Sequence, residues 1–170
     1  MVKKLIVVLM MLVLLTACGA ETKSETVEDG LLDVKSKPYT IVISVPEDVT
    51  QETFGDAEQG CWYEAADGSY TITTEILDAT TVEEGIEAVS GIPADRLNVM
   101  ELHHRPMPEY HFAWASAGEE QDTVSRCAMI ASEDYYYVLT VNHRPGLGET
   151  QRKMVEQVFS SFCLAADETV

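Results

Sequence analysis

Between Leu97 and Asn142 the sequence lays down four strand-like segments with little between them, and this limits the fold more than any other feature. The segments run from about Leu97 to His104, Tyr110 to Ala117, Thr123 to Ala131 and Tyr135 to Asn142, and each is rich in β-branched and aromatic residues. The connections hold Pro106 and Pro108, then Gly118-Glu119-Glu120-Gln121, then Ser132-Glu133-Asp134. A parallel pair needs a crossover of about a dozen residues or more, so neighbouring strands here must run antiparallel. The strands are also apolar on two sides. Tyr110, Phe112 and Trp114 share one face, Ala113 and Ala115 share the other, and Val99 and Met100 fall on opposite faces. Such strands belong to a sheet that is covered on both sides.

The remaining elements have local signatures of their own. Tyr39–Val45 is a β-branched and aromatic strand closed by Pro46. Cys61–Ala66 and Ser69–Leu77 flank Asp67-Gly68, a dipeptide suited to a type I′ hairpin turn. Thr81-Val82-Glu83-Glu84 is a capping box, in which the threonine hydroxyl and the later carboxylate satisfy free backbone N–H groups. It predicts a helix to about Ser90, with Gly91 just past its end. Pro145, Gly146 and Gly148 break the chain before an amphipathic helix over Glu149–Phe162, with Met154, Val155, Val158, Phe159 and Phe162 on its apolar side.

The predicted order is therefore β-β-β-α-β-β-β-β-α. It implies an α+β fold, an antiparallel sheet of about six to seven strands covered by helices on both faces. The Tyr39–Pro46 strand, the Asp67-Gly68 hairpin, the helix capped at Thr81, the Tyr135–Val141 strand and the final Ser160-Ser161-Phe162 together resemble the PsbP-like α/β/α sandwich, a fold found among small bacterial lipoproteins. The resemblance covers roughly residues 38 to 164. It implies an accessory or binding role and brings no shared catalytic residues, and a fold does not by itself carry a function.

The N-terminus reads as an address. Lys3 and Lys4 precede an unbroken apolar run of eleven residues, Leu5 to Leu15, and small residues follow. The run is too short to cross about 30 Å of hydrocarbon, which needs roughly 20 residues. Leu15-Thr16-Ala17-Cys18 resembles the lipobox of bacterial lipoproteins, and Gly19 suits the next position. That resemblance implies cleavage before Cys18, thioether lipidation of its sulfur and acylation (palmitate in type) of its new amino group. One acyl chain holds a protein marginally, whereas several anchor it stably. The expected layout is a signal peptide over 1–17, a lipidated cysteine and acidic linker over 18–37, one domain over 38–164 and a tail over 165–170. The linker has no aromatic residue, and as a coil it would span about 25 Å.

Charge excludes whole classes of partner. The 170 residues carry 29 acidic and 11 basic side chains, for a formal charge of −18. Cleavage before Cys18 would remove Lys3 and Lys4 and make the balance more negative still. A nucleic-acid binder needs a basic face that releases counterions, and this chain has none to spare. The same balance argues against electrostatic attachment to anionic lipid, which leaves the lipid on Cys18 as the membrane contact. A hydrophobic content of 46% fits a globular domain.

Few residues suggest chemistry. With Cys18 lipidated, Cys61, Cys127 and Cys163 remain, and an odd number allows at most one disulfide within the chain, with three possible pairings. Glu101, His103, His104, Glu109 and His111 are the ligand-rich cluster. Antiparallel pairing across Pro106–Pro108 would bring His103 or His104 toward His111 as zinc or copper donors. Tyr135, Tyr136 and Tyr137 read as sheet packing rather than as a sugar platform, and Trp62 and Trp114 read as core. The acidic pairs Glu83-Glu84 and Glu119-Glu120 lack calcium-loop spacing. No nucleophile elbow, zincin helix or phosphate loop is present. The sequence thus reads as a lipid-anchored, extracytoplasmic, non-enzymatic module that needs no cofactor and binds an envelope protein or small ligand. A metal-binding lipoprotein using His103, His104 and His111, and an unrecognised hydrolase, are the alternatives.

Overall fold

A computed structural model describes residues 39–54, 60–103, 106–118, 122–132 and 135–166. The expected signal peptide, Cys18 and linker, and His104, lie outside the described residues. The elements are β1 (Tyr39–Val42), β2 (Val49–Phe54), β3 (Gly60–Ala65), β4 (Tyr70–Asp78), α1 (Val82–Ser90), a 3-10 turn (Ala94–Arg96), β5 (Met100–Leu102), β6 (Glu109–Ser116), β7 (Thr123–Ser132), β8 (Tyr135–His143), α2 (Glu149–Ser161) and β9 (Cys163–Ala166).

The short connections produce the antiparallel meander they demand. β5, β6, β7 and β8 lie side by side, and β8 then pairs with β4, so one seven-stranded sheet runs β2-β3-β4-β8-β7-β6-β5. β1 and β9 form a separate two-stranded sheet. Alternation along β8 sorts the core into two clusters. Tyr137, Leu139 and Val141 join Ile72, Ala128 and Ile130 with Val155, Val158, Phe159 and Phe162 from the α2 end. Tyr136 and Val138 join Phe112, Cys127 and Met129 with Ile86 of α1.

The expected architecture needs correction here. A sheet of about six to seven strands covered by helical layers, the α/β/α sandwich, is not what forms. The described residues are mostly sheet, with nine strands in two sheets and two α-helices of 9 and 13 residues. The physical reason lies at the chain ends. The Tyr39 strand leaves the main sheet to pair with β9, which continues past the terminal helix into the expected tail as far as Ala166. The main sheet gains β2 instead, a polar edge strand reading Val-Thr-Gln-Glu-Thr-Phe. A nine-residue helix is about 14 Å long, whereas seven strands spread over about 29 Å, so α1 cannot act as a layer.

Local signals hold with small shifts. The Thr81 hydroxyl accepts from Glu84 N at 3.2 Å, and the Glu84 carboxylate reaches one residue beyond the box to accept from Thr80 N at 3.0 Å. Gly91 takes the left-handed conformation with φ of 68°, and its N–H donates to Glu87 O. In the β3–β4 hairpin, Gly68 N donates to Ala65 O at 2.8 Å, so Ala66 and Asp67 are the central turn residues and Gly68 follows at φ of 65°. The predicted Leu97 strand shrinks to Met100–Leu102, because Leu97 N closes the 3-10 turn onto Ala94 O.

Candidate functional site

The hairpin of β5 and β6 positions the predicted metal donors. Its register sets Met100 opposite His111, Glu101 opposite Tyr110 and Leu102 opposite Glu109. Alternation then parts the cluster. On one face Glu109 Oε1 lies 2.7 Å from His111 Nε2, and the Glu109 side chain is 4% exposed. The His111 ring packs against Phe159 with centroids 6.2 Å apart, and the Arg126 guanidinium lies 4.8 Å from the centroid of that same ring while pairing with Glu156 at 2.7 Å. On the other face Glu101 Oε1 lies 3.5 Å from His103 Nε2 and accepts from the Tyr110 hydroxyl at 3.4 Å. Burial, followed by the Glu101 charge, pushes the Tyr110 phenol up. His103 and His111 are therefore not brought together. Among the described residues no group of three or more His, Cys, Asp or Glu side chains is placed to hold a metal ion.

Cys61, Cys127 and Cys163 are free thiols, half-buried, buried and exposed in that order. Cys61 on β3 and Cys127 on β7 are separated by β4 and β8, an interval of about 14 Å against the roughly 7 Å that a disulfide spans between Cα atoms. Burial pushes the Cys127 thiol far up, with a hydrogen bond to Thr140 acting the other way. Tyr63 beside Cys61 is pushed up to about 12, first by burial and then by Cys61. The thiolate is the reactive form, so both access and acidity protect Cys127. Iodoacetamide at pH 8 should label Cys163 first and leave Cys127 at least about a hundredfold slower in the native chain, read by peptide mass mapping. Equal labelling of the two would show that β7 is not packed as described.

A second group of polar side chains lies on the α1 side of the sheet, around Trp62, which the sequence reads as core. Across the strands Glu52 faces Trp62, Trp62 faces Thr73, Thr73 faces Thr140 and Thr140 faces Cys127. The next row along holds Glu64, Thr71, Asn142, Ser125 and Trp114. Ser125 Oγ donates to Asn142 Oδ1 at 2.7 Å, and Asn142 Nδ2 donates to Thr71 Oγ1 at 3.3 Å, a polar chain over three strands. Glu75 stands two residues from Thr73, and burial pushes its carboxyl up. Trp114 stacks on Phe112 with centroids 5.8 Å apart and packs beside the α1 cluster, as expected of core. Trp62 does not. It is half-buried and joins neither apolar cluster. The signal was in the sequence, because alternation puts Trp62 on the same face as Glu64 while Tyr63 and Ala65 point to the core side. Tyr136 and Tyr137 are buried, and Tyr137 meets Tyr39 edge-on at 6.0 Å, so the tyrosine run packs as read.

No family model matches the sequence, and no curated protein matches it. Solved structures do. Cyanobacterial PsbP (CyanoP) from Synechocystis sp. PCC 6803 superposes with a TM-score of 0.51 at 10% identity, over 75% of this chain and 93% of that one. The fold is PsbP-like. A point mutant of the protein Mog1 gives a TM-score of 0.51 at 12% identity, over 76% of this chain and 93% of that one. A crystal structure from Bacteroides thetaiotaomicron VPI-5482 gives 0.49 at 11% identity, and this chain spans 46% of that chain's length. Identities this low show a shared PsbP/Mog1 architecture and no more. The PsbP-like domain expected from the order of elements stands as a fold, with its sheet-rich build in place of the helical sandwich.

Proposed function

We propose that this chain is a lipid-anchored binding module of the cell envelope, held outside the cytoplasmic membrane through Cys18 and without catalytic chemistry of its own. One observation carries the reading. Leu15-Thr16-Ala17-Cys18 ends an eleven-residue apolar run that follows Lys3 and Lys4. Two others support it. The domain has the PsbP/Mog1-like fold, and its sheet presents half-buried polar and indole side chains rather than a sealed apolar surface. The negative charge has a role in this setting, since it repels an anionic bilayer and holds a tethered domain in the aqueous envelope. The metal-binding alternative draws less support, because its two described donors are held apart, His103 beside Glu101 and His111 beside Glu109.

The anchoring step is tested in a bacterial host. The native chain should enter the detergent phase of a Triton X-114 partition, and Cys18→Ala should move essentially all of it to the aqueous phase or leave it as unprocessed precursor. Globomycin should likewise cause precursor to accumulate. Unchanged processing and partitioning in both experiments would refute the lipid anchor.

A further inference from the structure

The apolar cluster under α1 reaches across β8, β7 and β6 and takes in Leu77 near the end of β4, with Leu97 and Val99 beside it. It does not extend to Trp62. Around that indole stand three carboxylates of the same face, Glu52 directly across on β2, Glu64 two residues along β3, and Glu75 diagonally placed on β4. No described lysine or arginine occupies a strand position on this face. Arg126 alternates to the opposite side with Ala128 and Ile130, and the other described basic residues, Arg96, Arg144, Arg152 and Lys153, lie outside the strands. An accessible indole attracts a cation through its ring face, and carboxylates at its rim add to that field. Arginine fits best, since its planar guanidinium can stack on the ring and still offer N–H groups to a carboxylate. The spacing fits as well. Trp62 and Glu64 are two residues apart on one strand, about 6.7 Å, which is the interval between alternate side chains of an extended segment.

We infer that the β2–β4 part of this face, centred on Trp62 and rimmed by Glu52, Glu64 and Glu75, docks an extended, arginine-bearing segment of a partner protein in the envelope. This rests on the binding-module reading above and names the chemistry of the partner. The raised Glu75 carboxyl agrees with it, because a half-buried acid on this face gains from an incoming cation.

The test uses the intact chain in a neutral detergent. The chain has two tryptophans, so Trp114→Phe leaves Trp62 as the single fluorescent indole. The probe is a decapeptide alternating arginine and serine. Its addition should change Trp62 emission saturably, and raising the salt from about 20 to 200 mM should weaken binding several-fold. Glu52→Gln with Glu64→Gln should weaken it about tenfold or more, and these replacements of accessible carboxylates leave the core untouched. Glu83→Gln with Glu87→Gln, removing equal charge from α1, should weaken it less than about twofold. Equal losses in the two double variants would reduce the effect to net charge and overturn the proposal. No loss in the first variant would overturn it too, as would binding of an N-acetylglucosamine hexamer in place of the peptide. Failure here, with Cys18-dependent partitioning intact, removes the docking face and leaves the anchor standing. Peptide binding by a chain that stays in the aqueous phase does the reverse.

Discussion

Replacing Phe162 with alanine should cost the domain about 3–5 kcal/mol, the largest effect of any single truncation considered. Phe162 is 0% exposed. It caps the C-terminal end of α2 in extended conformation, and its N–H donates to Phe159 O at 3.2 Å. Its side chain joins Val155, Val158 and Phe159 against Ile72, Tyr137 and Leu139, with Tyr39, Ile41 and Leu164 of the small sheet packed on the same cluster. One ring thus ties together the helix, the large sheet and the β1–β9 pair. Truncation leaves a cavity at a junction of three elements, where collapse is difficult. A domain of ordinary stability has about 5–15 kcal/mol in total, so much of it would be lost. Urea unfolding followed by circular dichroism reads the change. A loss below about 1 kcal/mol would mean that the small sheet is not docked through this residue.

The second large effect concerns how closely α1 approaches the sheet. A Cβ at Gly85 would sit 3.2 Å from Met129 Sδ, 3.6 Å from its Cε and 3.6 Å from Tyr136 Cγ. Glycine inside a helix costs about 1 kcal/mol relative to alanine, so it needs a reason, and this contact supplies one. Gly85→Ala should be close to neutral, because the flexible methionine can yield while helix propensity improves. Gly85→Leu has no such outlet. It must lift α1 from β7 and β8 and should cost about 1–3 kcal/mol, with a change in the near-ultraviolet signal of Tyr136. Thermal unfolding of the pair separates the two cases. Equal stability of the leucine and alanine variants would show that the helix does not pack there.

The candidate sites show where sequence reasoning stops. Alternation correctly groups Tyr110, Phe112 and Trp114 on one face, because side-chain direction within a strand is a local property. Whether His103 meets His111 depends on register between two strands, and the register sets Tyr110 opposite Glu101 and His111 opposite Met100. The Glu109–His111 pair and its neighbours Phe159 and Arg126 come from β6, β7 and α2, so nothing in their spacing along the chain announces them. Trp62 departs from the sequence expectation for a different reason. Tryptophan is usually well buried, and composition outweighed the plain fact that its same-face neighbour is Glu64.

The sequence by itself determined the four-strand meander, the β3–β4 hairpin, the helix capped at Thr81 and the amphipathic terminal helix. Each is set by interactions within a few residues, through turn chemistry, capping and hydrophobic period. Only the tertiary structure decided that β8 joins β4, that Tyr39–Val42 leaves the main sheet for Cys163–Ala166, and that Trp62 on β3 joins neither apolar cluster. Those outcomes join segments far apart in the chain. They follow from competition among all apolar surfaces for a limited set of partners, a comparison that no local pattern contains.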